Sequence, residues 1–155
     1  MEDSEQVVNQ QAAYWSGEGG RRWVELQGLL DEIYQPLTDR FVEAVVGAGE
    51  GWRVLDVGCG TGATTVAAAR RLGEEGECTG VDVSEAMLDA ARARAEAEGV
   101  AVSFVLADAQ RHQFEPASFD VVASRFGVMF FDDSVEAFDN LRHATRPGGA
   151  LRIIV

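Results

Sequence analysis

The chain has 155 residues, 46% of them hydrophobic, and its 13 basic against 26 acidic side chains leave a net charge of −13. That length supports one folded domain burying roughly two-thirds of its unfolded surface, and a surface of that sign repels a phosphate backbone, so no nucleic-acid partner is expected. No apolar run approaches the ~18 residues of a membrane span, and the start Met1-Glu2-Asp3-Ser4-Glu5 is acidic where a secretory signal is basic, so a cytoplasmic protein without membrane insertion is expected.

Residues 1 to about 50 carry apolar positions at helical spacing. Trp23, Leu26, Leu30 and Ile33 share one face and Leu37, Phe41, Val45 and Val46 another, with Pro36 between them. Two helices joined near the proline are expected. Gly17, Gly19 and Gly20 beside Trp15 mark a loop before them, and Gly47, Gly49 and Gly51 a turn after them.

From Trp52 onward, short β-rich runs alternate with Ala-rich stretches. Strands are expected over 53–57, 77–83, 102–107, 119–124 and 150–155. Helices are expected over 61–72, 84–98 and 133–145, with an irregular piece over 111–117. The alternation implies right-handed βαβ units and an α/β fold with a parallel, doubly wound sheet. Ser84 is placed as an N-cap with Glu85 in the first turn, Met87, Leu88, Ala91 and Ala95 recur on one face, and Gly99 follows the end. In the last helix Ser134 is the expected cap and Val135, Phe138 and Leu141 the buried stripe, with Pro147-Gly148-Gly149 as the stop.

The 13 basic residues are all Arg, which fits either a G+C-rich coding sequence or a salt-adapted host. Two cysteines, Cys59 and Cys78, and two histidines supply neither a disulfide framework nor a four-ligand zinc site. Both cysteines read as buried, reduced thiols, and no metal is expected.

The most informative segment is Val54-Leu55-Asp56-Val57-Gly58-Cys59-Gly60-Thr61-Gly62. A strand running through such a glycine loop into a helix brings bare backbone and a positive helix N-terminus against a ligand. Gly58, Gly60 and Ala63 also satisfy the nicotinamide and flavin fingerprint, so the glycines alone do not name a cofactor. Asp56 weighs against a pyrophosphate: at ~4 Å and an effective dielectric near 20 the repulsion is about 4 kcal/mol per unit charge. A ligand carrying an ammonium and a sulfonium turns that repulsion into attraction. Asp56 could instead cap the loop through its amides.

Asp82, twenty residues past Gly62, ends the second strand and can accept both hydroxyls of a ribose; its other reading is a helix N-terminal charge. Val83 and Met87 follow where a base needs apolar faces. Asp108-Ala109, after the third strand, suits a carboxylate accepting from an adenine amino group, or a simple strand-end turn.

Together these segments resemble a known family. Val54 to Gly62, Val81 to Ser84, Ala107-Asp108-Ala109, Phe119 to Ser124 and Leu141 to Leu151 are similar to the successive motifs of class I S-adenosylmethionine (SAM) dependent methyltransferases. Ser124-Arg125-Phe126-Gly127-Val128-Met129-Phe130-Phe131 and Arg146-Pro147-Gly148-Gly149 resemble the ubiquinone/menaquinone-biosynthesis branch. The resemblance implies a Rossmann-like sheet of order 3-2-1-4-5, with residues 1–50 as a helical cover and 51–155 as the SAM-binding core of one compact domain. It implies that Asp56 and the loop Gly58, Cys59, Gly60, Thr61, Gly62 hold the methionine part, Asp82 the ribose and Asp108-Ala109 the adenine. Ser124 and Arg125 would lie beside the methionine moiety, and Tyr14, Trp15 and Trp23 near the cofactor, although Trp23 equally fits the core.

The family sheet has seven strands, whereas five can be counted up to Ile153-Ile154-Val155. Strand five would then be an apolar edge. A partner strand from a second chain in a homodimer, an alternative use of the N-terminal segment, or a deliberately shortened chain would account for it. The leading expectation is methyl transfer from SAM to a small organic acceptor, leaving S-adenosylhomocysteine (SAH). A SAM-binding module without catalysis and a nicotinamide-dependent oxidoreductase are the alternatives. Transfer from a sulfonium is an in-line displacement in which orientation matters most. A phenolic or carbon-acid acceptor would need a base. His112, His143 and Asp132 are the local candidates; each reads as structural or solvated, and no catalytic residue is assigned.

Overall fold

The computed structural model describes residues 10–47 and 52–155. The expected turn at Gly49 and Gly51 and the acidic start of the chain lie outside the described residues. Five strands, β1 (Arg53–Val57), β2 (Glu77–Asp82), β3 (Ser103–Leu106), β4 (Phe119–Arg125) and β5 (Thr145–Ile154), form one sheet. Its order is β3-β2-β1-β4-β5 and every pairing is parallel. A helical segment over 10–16 precedes α1 (Glu18–Glu25) and α2 (Gln27–Val46); α3 (Ala63–Leu72), α4 (Glu85–Glu98) and α5 (Ser134–Ala144) follow strands β1, β2 and β4.

The central strand shows why the sheet is covered on both sides. In β1 the residues Val54, Leu55, Asp56 and Val57 are all buried, the mark of a parallel strand with helices on each face. Because side chains alternate along a strand, Val54 joins Phe41, Val45, Ala68, Val121 and Ala123 in one core cluster. Leu55 and Val57 join Val81, Val122 and Leu141 in the other. Thus α2 and α3 cover one face and α5 the other.

Several local expectations are corrected. The break between the N-terminal helices falls at Leu26, and Pro36 lies inside α2. An interior proline removes one helical hydrogen bond, yet the helix runs on because Phe41 and Val45 beyond it are sealed in the core. Leu26 and Ile33 are exposed, so the first predicted face is not a core face. Gly19 and Gly20 are buried within α1 and form no loop. A Cβ on Gly20 would overlap the Trp15 carbonyl oxygen and Ser84 Oγ, so glycine lets α1 rest directly on the start of α4.

In α5 the cap is Asp133, whose side chain accepts from the Glu136 amide, and Ser134 is the first helical residue. Val135 is 82% exposed; Ala137, Leu141 and Ala144 form the buried stripe, with Phe138 partly buried beside them. Small alanines on that face allow close approach to the sheet. Strand β5 starts at Thr145, five residues earlier than expected. Phe119 pairs with Thr145 and Val121 with Ala150, so Arg146-Pro147-Gly148-Gly149 is a bulge within the strand. Strand β5 is one edge of the sheet and β3 the other, with Leu151 and Ile153 of β5 partly exposed. Ser84, by contrast, caps α4 by accepting from the Met87 amide, as expected. Among the described residues no helix is long and apolar enough to cross a membrane.

Candidate active site

A cavity of about 410 Å³ opens at the C-terminal ends of the strands, where the chain turns from the β1-β2-β3 side to β4 and β5. That is the position at which open parallel sheets hold ligands, and the volume suits a small molecule.

Its floor is the loop after β1. Gly58 takes φ +68°, and a Cβ on it would stand 2.6 Å from Gly127 Cα, so the turn after β4 packs directly against the loop. The amides of Gly58 and Cys59 donate to the Val81 carbonyl, tying the loop to β2. Ser124 closes the other side: its hydroxyl donates to the Val57 carbonyl at 2.8 Å and accepts from the amides of Gly127 and Val128. Ser124, Gly62 and Asp56 stand behind the lining, whereas Gly58, Cys59, Gly60 and Thr61 are part of it.

Asp56 is fully buried. Its Oδ2 accepts from the hydroxyls of Thr64 (2.6 Å) and Thr65 (2.8 Å) in the first turn of α3, and not from the loop amides. Its Oδ1 has no hydrogen-bond partner among the described residues. Burial raises its pKa to about 6, against the opposing pull of the two threonines and of Arg125. The Cys59 thiol is pushed well up and that of Cys78 to about 12, chiefly by burial, so both are unreactive thiols.

Asp82 stands at the rim with both oxygens engaged: Oδ2 accepts from the Gly60 amide and Oδ1 from the Ser84 amide, each at 2.9 Å. Burial raises its pKa and these amides oppose the rise. Each carboxylate oxygen has a second lone pair, so Asp82 is held rigid while retaining acceptors for two hydroxyls. Asp108 lies one strand further out, its Oδ1 taking the Gln110 amide. Val83, Met87 and Ala109 complete this wall.

The opposite wall is aromatic. Trp15 and Trp23 both line the cavity, so Trp23 is not a core residue; Tyr14 is exposed and off the lining. Trp15 meets Trp23 edge-on at 5.9 Å and Phe130 at 5.0 Å, and Trp23 lies nearly parallel to Tyr34 at 6.3 Å. Arg125 enters from the end of β4, donates to Thr38 Oγ1 at 2.6 Å, and lies 5.5 Å from the Tyr34 ring and 5.9 Å from that of Phe126. Of the three candidate bases only Asp132 is on the lining; His112 packs on Phe114 away from it.

Three contributors had no signal in the sequence. Tyr34 and Thr38 come from α2 and read there as ordinary helix positions. Gln110 is buried, and its Oε1 accepts from the amides of Asp132 and Asp133 while its Nε2 donates to Glu136, joining the Asp108 wall to the loop before α5.

A family profile described as a methyltransferase domain matches residues 54–149. A ubiquinone/menaquinone biosynthesis C-methyltransferase of Azotobacter vinelandii is 36% identical over 131 residues, covering 83% of this chain and 50% of the relative. Aklanonic acid methyltransferase of Streptomyces sp. strain C5 is 33% identical over 121 residues, covering 77% of this chain and 54% of the relative. Among solved structures, a Haemonchus contortus phosphoethanolamine N-methyltransferase, in complex with phosphomonomethylethanolamine and SAH, superposes with a TM-score of 0.70 at 32% identity. That match covers 76% of this chain and 27% of the other. The chain spans about half the length of the curated relatives it matches. With the sheet order, the glycine loop and the acids at the ends of β1, β2 and β3 in place, the chain belongs to the class I SAM-dependent methyltransferases, in the ubiquinone/menaquinone-biosynthesis-like branch.

Proposed function

We propose that the cavity binds SAM in an extended pose across the strand ends and that its methyl group passes to a small organic acceptor beneath the N-terminal helices. The reading is carried by Asp82, which lines the cavity at the end of β2 with its two oxygens fixed by the Gly60 and Ser84 amides and with acceptor capacity to spare. That geometry matches the paired hydroxyls of a ribose.

The other residues fit the remaining parts of SAM. Asp108 would accept from the adenine amino group, with Val83, Met87 and Ala109 against the ring. The loop Gly58 to Gly62 would take the methionine end, with the first turn of α3 behind it. Asp56 is a buried carboxylate with an oxygen left over, and it stabilises positive charge nearby without touching the ligand. Ser124 holds the loop in place, and Arg125 stands beside the methionine end. When bound, SAM supplies an electrophilic methyl group on a sulfonium. The protein orients the reactants, and Trp15, Trp23 and Phe130 exclude water above the loop. Residues 10–46 act as the cover over a core built from residues 52–155.

Calorimetric titration of the purified chain with SAM, SAH and NAD tests this. SAM and SAH are expected to bind and NAD not, and Asp82→Ala is expected to weaken SAH by roughly tenfold or more. Binding of NAD without SAM would overturn the reading. A SAM-binding unit without turnover is separated from a transferase by whether SAH accumulates from SAM in the presence of an acceptor pool.

A further inference from the structure

Gln110 lines the cavity at 2% exposure, and no part of SAM is assigned to it. Its amide donates to Asp108 Oδ1 at 2.9 Å. Its Oε1 accepts from the amides of Asp132 and Asp133 at 3.2 Å each, and its Nε2 donates to Glu136 Oε2 at 2.6 Å. The residue type follows from these partners. Two successive amides need an oxygen and Glu136 needs a donor, while the residues it touches, Asp108, Asp132, Asp133 and Glu136, all carry carboxylates. An anionic acceptor would meet like charge there. A glutamine side chain supplies the acceptor and the donor without charge.

The bonds join segments that the sheet keeps apart. Residues 108–110 follow β3 on the wall assigned above to the nucleoside; Phe130, Phe131 and Asp132 follow β4 and line the cavity on its other side. In the order β3-β2-β1-β4 those two strands are three spacings apart, roughly 14 Å. The loop after β3 is itself pinned, because Asn140 of α5 donates to the carbonyls of both Ala109 and His112 at 2.9 Å. A restraint placed on Asp108 therefore reaches Asp132 through one side chain.

We propose that Gln110 is a positioning residue that couples the two ends of the cavity: occupancy of the nucleoside wall at Asp108 fixes Gln110, and Gln110 holds Phe130, Phe131 and Asp132 in place as a wall facing the acceptor. The proposal rests on the SAM reading, which puts adenine at Asp108. An amino group bonded to Asp108 restrains the carboxylate whose Oδ1 already holds the Gln110 amide, so the loop before α5 is ordered by the same bonds. Coupling of this kind is reciprocal, and whatever fixes that loop strengthens nucleoside binding.

Adenosine, which fills the nucleoside half alone, is the probe. Amide hydrogen exchange at Asp132 and Asp133, resolved by NMR, is the readout, because those two N–H groups are the donors to Gln110. Calorimetry on the same samples gives occupancy. In the parent chain saturating adenosine is expected to slow exchange at both positions by roughly tenfold. Gln110→Glu keeps the acceptor, loses the donor to Glu136 and sets two carboxylates together. It is expected to speed exchange at both positions in the free chain by about tenfold and to abolish the response to bound adenosine. The double variant Gln110→Glu/Glu136→Gln moves the donor to position 136 and is expected to restore the response, a rescue that mere filling of space by Gln110 would not produce. Adenosine that binds the parent chain without slowing exchange at Asp132 and Asp133 overturns the proposal. So does an undiminished response in Gln110→Glu, or a double variant no better than the single one. The parent-chain measurement decides by itself if the Gln110 variants fold poorly. Failure of both adenosine and SAH to bind the parent chain overturns the SAM reading and the coupling with it, whereas binding without the change in exchange overturns the coupling alone.

Discussion

Asp56 carries a carboxylate into the core with one oxygen bonded and one stranded. Its pKa is raised to about 6, first by burial. A raised carboxylate pKa means that the fold favours the protonated form, so its contribution to stability is full at low pH. It falls as pH rises from the unfolded value near 4 and levels off above about 6. The full span is worth roughly 3 kcal/mol. The difference in melting temperature between the parent chain and Asp56→Asn is therefore expected to change between about pH 4.5 and 6.5 and to be flat above. A nearby cation favours the ionised form. On the SAM reading, the affinity of SAM relative to neutral-sulfur SAH should rise over the same interval in the parent chain and stay level in Asp56→Asn, as measured by calorimetry. The glycines and the acids of this site were legible in the sequence because each sits within a few residues of a strand end. The partners of Asp56 were not, because hydroxyls at positions 64 and 65 look like ordinary helix residues until α3 turns back over β1.

The N-terminal helices are joined to the loop by one guanidinium. Arg94 on α4 donates from Nε to the Thr61 carbonyl at 3.0 Å and from Nη2 to Asp31 at 2.7 Å and Gln27 at 3.4 Å on α2. The Arg94–Asp31 pair is mostly buried, at 21% and 29% exposure, so water screens it weakly. Arg94→Ala is expected to speed amide hydrogen exchange in α2 and to lower stability by about 1–3 kcal/mol. The Arg94→Ala/Asp31→Asn double variant is expected to cost little more than the worse single one, the pattern of a shared interaction. Gly20 marks another point of attachment. Gly20→Ala must push α1 off Ser84 and the Trp15 carbonyl, and is expected to lower the denaturation midpoint by an amount worth about 1–3 kcal/mol. Local rules misread this region for a definite reason. Proline and clustered glycines usually punctuate helices, but burial of Phe41 and Val45 carries α2 past Pro36, and close packing on α4 requires glycine inside α1.

At the scale of the whole molecule, β3 and β5 are the two open edges of the sheet among the described residues, and β5, with ten residues against four, is the longer. Strand β5 pairs with β4 and leaves its outer backbone edge free among the described residues, with Leu151, Ile153 and Val155 at 39%, 37% and 77% exposure. Open apolar strand edges template pairing with another chain. The chain is therefore expected to associate with concentration in sedimentation experiments, and Ile153→Lys to shift it toward monomer; a parent chain that stays monomeric at high concentration would remove the homodimer expectation.

What the sequence determined by itself was a set of features encoded over short spans: five strands alternating with helices, the glycine loop, the cap at Ser84, and the acids Asp56, Asp82 and Asp108 at strand ends. These rest on local backbone preferences and on hydrophobic spacing within one element. Only the tertiary structure decided which distant residues share the cavity. Thr38 meets Arg125 across 87 positions, Arg94 meets Asp31 across 63, and Gln110 holds the amides of Asp132 and Asp133. Such contacts depend on the order of strands in the sheet and on where α2 crosses it, and no local preference carries that information.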